Sequence, residues 1–273
     1  MESMLQLGNS RTKIFAVMIF VASLVVNGLA GTTILGGNTT AEVSDSYSNL
    51  FTPAGATFVI WGLIYSLLTV FCIRLFIRQK YQTKEIGTLM ARLTGYFIIA
   101  SSLNALWLIA WQYRVLWLSV LLMVAILVTL IKASSLTFNR RLTNLDWVSL
   151  KLPFSIYFGW ITVATIANVT AFLVSVGWNG WGISAEIWAL IVLTVGAIIG
   201  IITALSKYDW AYLAVFVWAY FGIWLKHTST TGYDNAYESV ITLLVYLIPI
   251  FALLTLWLAY WWPKGVGRLH NTV

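Results

Sequence analysis

Asparagine and tryptophan recur together at spacings that put them side by side. Asn104, Trp107 and Trp111 are offset by three and four residues, and Trp160, Ala164 and Asn168 by four. Either spacing lines the side chains along one face of an α-helix. A third stripe, Phe58, Trp61 and Tyr65, repeats the offsets of three and four. An amide among large rings, with small residues opposite, can form a pocket for a flat apolar ligand. The rings offer stacking worth ~0.5–1.5 kcal/mol beyond burial, and the amide orients the ligand's polar edge. The competing reading is that each amide locks helix to helix, a contact worth only ~0.6–2 kcal/mol in lipid. For any single Asn taken alone, that second reading is favoured.

Other chemistries lack their residues. The two histidines, His227 and His270, fall in an outer loop and in the tail, which leaves a membrane haem without an axial ligand. No lysine stands at mid-membrane for a retinal Schiff base. No Asp or Glu stands at that depth to carry coupled protons. Cys72 is the single cysteine, so an intramolecular disulfide and a cysteine metal cluster are both excluded. Walker, zincin and nucleophile-elbow patterns do not occur. No catalytic residue or metal ligand can be named, and enzyme status stays open with the balance against it.

The elements that must position the three stripes are membrane spans. Of the 273 residues, 60% are hydrophobic and 9% charged, whereas a soluble domain carries about a quarter charged residues. Eight apolar stretches, at about 13–35, 55–78, 90–111, 115–137, 150–176, 183–205, 209–226 and 238–261, each approach the ~20 residues that cross a bilayer. The seventh is the shortest. The first has Arg11 and Lys13 ahead of its apolar run and small residues in "NGLAG", as a signal peptide would, but its apolar stretch continues to Leu35 and reads as a span.

The connectors alternate in charge. Arg11, Lys13, Arg74, Arg78, Lys80, Lys84, Arg92, Lys132, Arg140, Arg141, Lys151, Lys207, Lys264 and Arg268 share one side; Arg114 and Lys226 are on the other, with Glu42, Asp45, Glu186, Asp234 and Glu238. The positive-inside rule then places both termini in the cytoplasm, which requires an even number of spans. Topology also accounts for the net charge of +7, so no nucleic-acid partner is implied. Glu186 and Glu238 open two spans where a carboxylate complements the helix dipole. Gly196 and Gly200 form a GxxxG that permits close helix contact.

The second to fifth spans resemble the TspO/MBR family of tryptophan-rich sensory proteins, whose animal members are the translocator proteins. Three motifs carry the resemblance. "FTPAGATFVIWGLIYSLL" is similar to the family's loop-to-second-helix segment, with Pro53 and an ending of W-x-x-L-Y type in Trp61 and Tyr65. "SSLNALWLIAW" is similar to the third-helix L-N-x-x-W, carried by Asn104 and Trp107. "YFGWITVATIAN" is similar to the fifth-helix Y-x-x-W and A-T-x-x-N, carried by Tyr157, Trp160, Ala164, Thr165 and Asn168.

The resemblance implies an all-α integral membrane protein: a five-helix transmembrane unit over residues 1–178 with a three-helix extension over 179–273. It also implies binding of a porphyrin, a sterol or another flat hydrophobic molecule beneath the first loop. Pro53, Phe58, Trp61, Tyr65, Asn104, Trp107, Tyr157, Trp160, Ala164 and Asn168 become the candidate lining. A porphyrin would be a ligand here, and no resident cofactor is implied. Two departures stand out: Pro53 is followed by Ala54 where the family often has a second proline, and Ile156 stands where a proline usually precedes the fifth-helix tyrosine.

The function expected is that of a multi-pass membrane binding or sensory protein, in a cell membrane of bacterial type. Its partners are the bilayer and a hydrophobic small molecule or lipid, and a homodimer is left open. A transporter of hydrophobic molecules, with the last three helices as a second half, is one alternative, and a porphyrin-modifying enzyme is another.

Overall fold

The computed structural model describes residues 10–77, 83–138, 140 and 142–265, the side chains of 262–265 excepted. Arg78, Lys80, Arg141, Arg268, His270 and the side chain of Lys264 therefore lie outside the described residues. Each predicted span folds as a helix: α1 (Ser10–Ala30), α2 (Ile60–Phe76), α3 (Lys84–Gln112), α4 (Leu116–Thr137), α5 (Leu152–Ser175), α6 (Ala185–Lys207), α7 (Trp210–Thr228) and α8 (Glu238–Gly265). No strand occurs among the described residues.

Local chemistry sets the ends. Thr83 caps α3 by accepting from the Ile86 amide, Ser184 caps α6 through Ile187, and Asp209 caps α7 through Tyr212. Each of these caps satisfies one of the amides that a helix start leaves open. The first span stops at Ala30, short of the expected Leu35, and the chain then turns through Gly36 and Gly37, both at positive φ. A Cβ on Gly36 would stand 2.8 Å from the Gln112 carbonyl oxygen, so this turn needs glycine for space as well as for backbone. A 3₁₀ turn (Gly55–Val59) leads into α2, and a π-helical turn (Trp147–Lys151) leads into α5.

Among the described residues, seven helices are long and apolar enough to cross a bilayer, and α7 is not one of them. That departs from the eight expected spans. The reason lies in composition: α7 carries Trp210, Trp218, Trp224, Tyr212 and Tyr220 and ends in Lys226 and His227. Indole and phenol rings have a polar handle, and they lower the hydropathy of a segment that is nonetheless buried.

The chain divides into two compact units. The first holds residues up to Val43, Trp61–Phe138 and Leu142–Phe158. Its core is a run of phenylalanines: Phe97 lies 5.4 Å from Phe20 and 5.1 Å from Phe71, and Phe71 lies 5.1 Å from Phe154. A charged pair is buried among the described residues of this unit. Arg74, read from sequence as a connector charge, ends α2 instead, 2.9 Å from Asp146, with the two side chains 1% and 4% exposed. Asp146 also accepts from the Thr143 hydroxyl at 2.8 Å.

The second unit holds Ser44–Ile60 and the chain from Gly159 onward. Its core stacks Tyr212, Phe216, Tyr220 and Phe251. Gly196 and Gly200 do what a GxxxG permits: an added Cβ would meet the Tyr220 hydroxyl at 2.7 Å and the Phe216 ring at 2.6 Å, so α6 lies tight against α7. His227 does not sit in a loop as expected. It falls in the last turn of α7, fully buried, with Nε2 3.0 Å from the Leu50 carbonyl and its ring against Tyr233 and Tyr237.

Candidate ligand site

Five of the ten candidate residues come together in the first unit. Trp61 is their centre. Its ring stacks on Tyr65 at 5.4 Å and on Trp107 at 6.0 Å, and meets Tyr157 edge-on at 5.9 Å. Trp107 in turn stacks on Trp111 at 6.0 Å, as the helical offset of four requires. Trp107 and Tyr157 are 4% and 3% exposed.

Asn104 sits one turn before Trp107 and is 1% exposed. Its Oδ1 collects donors from two other helices: Asn27 Nδ2 at 3.0 Å, Ser23 Oγ at 3.4 Å and the Tyr65 hydroxyl at 3.4 Å. The Tyr65 hydroxyl donates mainly to Asn27 Oδ1, in a short contact. The network fixes the Asn104 amide with its oxygen turned to α1 and α2. Its Nδ2 is left buried with no partner, and the Trp107 Nε1 is left in the same state. Two unspent N–H donors, three residues apart on one helix, are the distinctive chemistry of this cluster.

The stack is anchored beyond Trp107. Trp111 Nε1 donates to the Thr40 carbonyl at 3.2 Å and Gln112 Nε2 to the Ala30 carbonyl at 2.7 Å, tying the start of the first loop to the end of α3.

The other five candidates, Pro53, Phe58, Trp160, Ala164 and Asn168, belong to the second unit. Phe58 and Trp160 meet edge-to-face at 5.9 Å. Pro53, Trp160 and Asn168 are buried, and Phe58 and Ala164 are partly so. Asn27, an amide inside the first span and outside the three stripes, joins the cluster through Asn104 and Tyr65. Its signal was present, since an amide in an apolar span must find a partner, but the partner's identity is a tertiary fact. Among the described residues, no group of three or more His, Cys, Asp and Glu side chains is placed to hold a metal ion.

Seven bilayer-length apolar helices and a buried aromatic–amide cluster define an all-α, multi-pass integral membrane protein. The family described as TSPO-like protein matches residues 13–257, and the chain belongs to that family. The match runs well past Asn168, where the recognised motifs end, and past the expected boundary at residue 178. Neither a search of curated proteins nor a search of solved structures returns a match.

Proposed function

We propose that the protein binds a flat hydrophobic molecule carrying a hydrogen-bond acceptor, of tetrapyrrole or sterol-like type, against Trp61, Tyr65, Asn104, Trp107 and Tyr157. One observation carries the reading: the unspent donors at Asn104 Nδ2 and Trp107 Nε1. A buried polar group without a partner costs about 1–3 kcal/mol, and a ligand carbonyl or carboxylate would offset that cost at both atoms. The surrounding rings supply stacking surface, and membership of the family agrees with such a role. In this reading residues 1–178 form the five-helix ligand-binding part of the chain, and 179–273 are a three-helix extension. Both termini face the cytoplasm, with α7 as the eighth crossing.

The test is a titration of the purified protein with protoporphyrin, read by quenching of tryptophan fluorescence. Saturable quenching at one site per chain supports the reading, and quenching that rises linearly without saturation removes it. Product analysis in light and darkness separates binding from porphyrin modification, and flux into proteoliposomes separates it from transport.

A further inference from the structure

We propose a second, separate binding site in the second unit: a cavity between α5 and α6 that takes an acyl chain of a bilayer lipid. The cavity has a volume of about 670 Å³, and one of its walls is the segment Ser48–Phe51. None of the ten candidate residues lines it.

Three features identify the occupant. First, the wall is hydrocarbon. No Asp, Glu, Lys, Arg or His lines the cavity. The two threonine hydroxyls of the lining donate within their own helix, Thr165 to the Ile161 carbonyl at 2.6 Å and Thr170 to the Ile166 carbonyl at 2.9 Å. A carboxylated tetrapyrrole would find no cation there.

Second, the cavity opens sideways. Val174, Ile183, Ile191, Val195 and Ile199 border it and are 39–49% exposed. An apolar rim on bilayer-length helices admits a molecule already dissolved in the hydrocarbon.

Third, the cavity is in register with a leaflet. Its polar groups, on Ser48, Asn49 and Asn179, cluster at one end. There Trp178 packs against Trp188 at 5.1 Å and against Trp181 at 5.4 Å. Indole clusters of this kind mark the headgroup level. From that end the lining follows α6 from Ala185 to Ile199. At 1.5 Å per residue this is roughly 20 Å of helix. One leaflet of hydrocarbon is about 15 Å deep, half the ~30 Å core. An extended chain with its head among the tryptophans fills that path, whatever the head carries.

The experiment uses the full chain in vesicles of palmitoyl-oleoyl phosphatidylcholine doped with a phosphatidylcholine bearing a diazirine on its acyl chain. Irradiation should place adducts on the cavity-lining residues of α5 and α6, such as Thr170, Leu173, Val192 and Val195. Ala189→Phe fills the cavity from a buried position and Val195→Phe from an exposed one, so at least one should fold normally. Each should reduce the wall adducts about ten-fold, equivalent to roughly 1.4 kcal/mol, while adducts on the exposed α8 residues Leu253 and Leu256 stay constant. Wall adducts unchanged in a folded variant would overturn the proposal and mark ordinary annular lipid. So would wall adducts that vanish from the parent protein as it self-associates, which would make the cavity a face for a second copy.

Discussion

Trp61 and Trp107 stack with ring centroids 6.0 Å apart and planes inclined by 28°. Trp61 also contacts Tyr65 and Tyr157, so it is the ring through which this cluster coheres. Trp61→Ala should therefore destabilise the protein in detergent by up to the ~3–5 kcal/mol typical of core Trp truncation, read as a lower melting temperature. Trp61→Phe should cost much less, because it keeps a ring in the stack. A Trp61→Ala protein that melts like the parent would show that the stack contributes no packing.

The Arg74–Asp146 pair predicts an asymmetry between single and double variants. Arg74→Met leaves a buried carboxylate uncompensated, which in other proteins costs about 3–5 kcal/mol. Replacing both partners, Arg74→Met with Asp146→Leu, should recover most of that loss. Thermal melts of the three proteins decide it, and equal destabilisation by single and double variants would refute the pairing.

Much of this was legible in sequence, and what was not has identifiable causes. Helix positions followed from runs of apolar residues, which in lipid are imposed by length and backbone satisfaction alone. The face shared by Asn104 and Trp107 followed from helical period. Arg74 was misjudged because a cation at a span end resembles any connector charge until Asp146 is found beside it. His227 was misplaced because the seventh apolar stretch was read as ending at residue 226, while its burial depends on Leu50, Tyr233 and Tyr237, all distant or beyond a turn. The lipid cavity had no sequence signal, since Val169, Val192 and Val195 are indistinguishable from any bilayer-facing valine.

His227 makes stability depend on pH. Its ring lies beyond the apolar stretch of α7, and burial is the largest influence lowering its pKa from the ordinary 6.5, with Lys226 pushing the same way and the Leu50 carbonyl opposing them. Tyr233 and Tyr237 are the other titratable groups against the ring, and Asp45 holds Lys226 at 2.7 Å. Because the folded pKa is depressed, the unfolded chain binds the extra proton first as pH falls. The contribution is fully present above about pH 6.5 and is lost as pH drops below it through the folded pKa. Melting temperature should fall over that window, and His227→Gln should flatten the fall. An identical pH profile in His227→Gln would refute the assignment.

Topology gives a further check. With Cys72 replaced by serine, single cysteines at Tyr208 and Thr231 flank α7. If α7 crosses the bilayer, an impermeant maleimide added to intact cells should label Thr231→Cys and a probe near Ser44, and reach Tyr208→Cys only after permeabilisation. Labelling of both flanks from the same side would give seven crossings and place the termini on opposite sides.

The central claim is that Asn104 and Trp107 present donors to a ligand's acceptor. The most direct measurement compares protoporphyrin, which carries carboxylates, with etioporphyrin, the same planar ring bearing only alkyl groups, on the parent protein and on Trp107→Phe. The substitution keeps an aromatic ring and removes the Nε1 hydrogen. Protoporphyrin affinity should fall by about 1.5–3 kcal/mol, the range for a hydrogen bond to a charged group. Etioporphyrin affinity should change far less, and the melting temperature of the unliganded protein should stay close to the parent's. Equal losses for the two porphyrins, or no loss for either, would contradict the account and leave the cluster as helix packing.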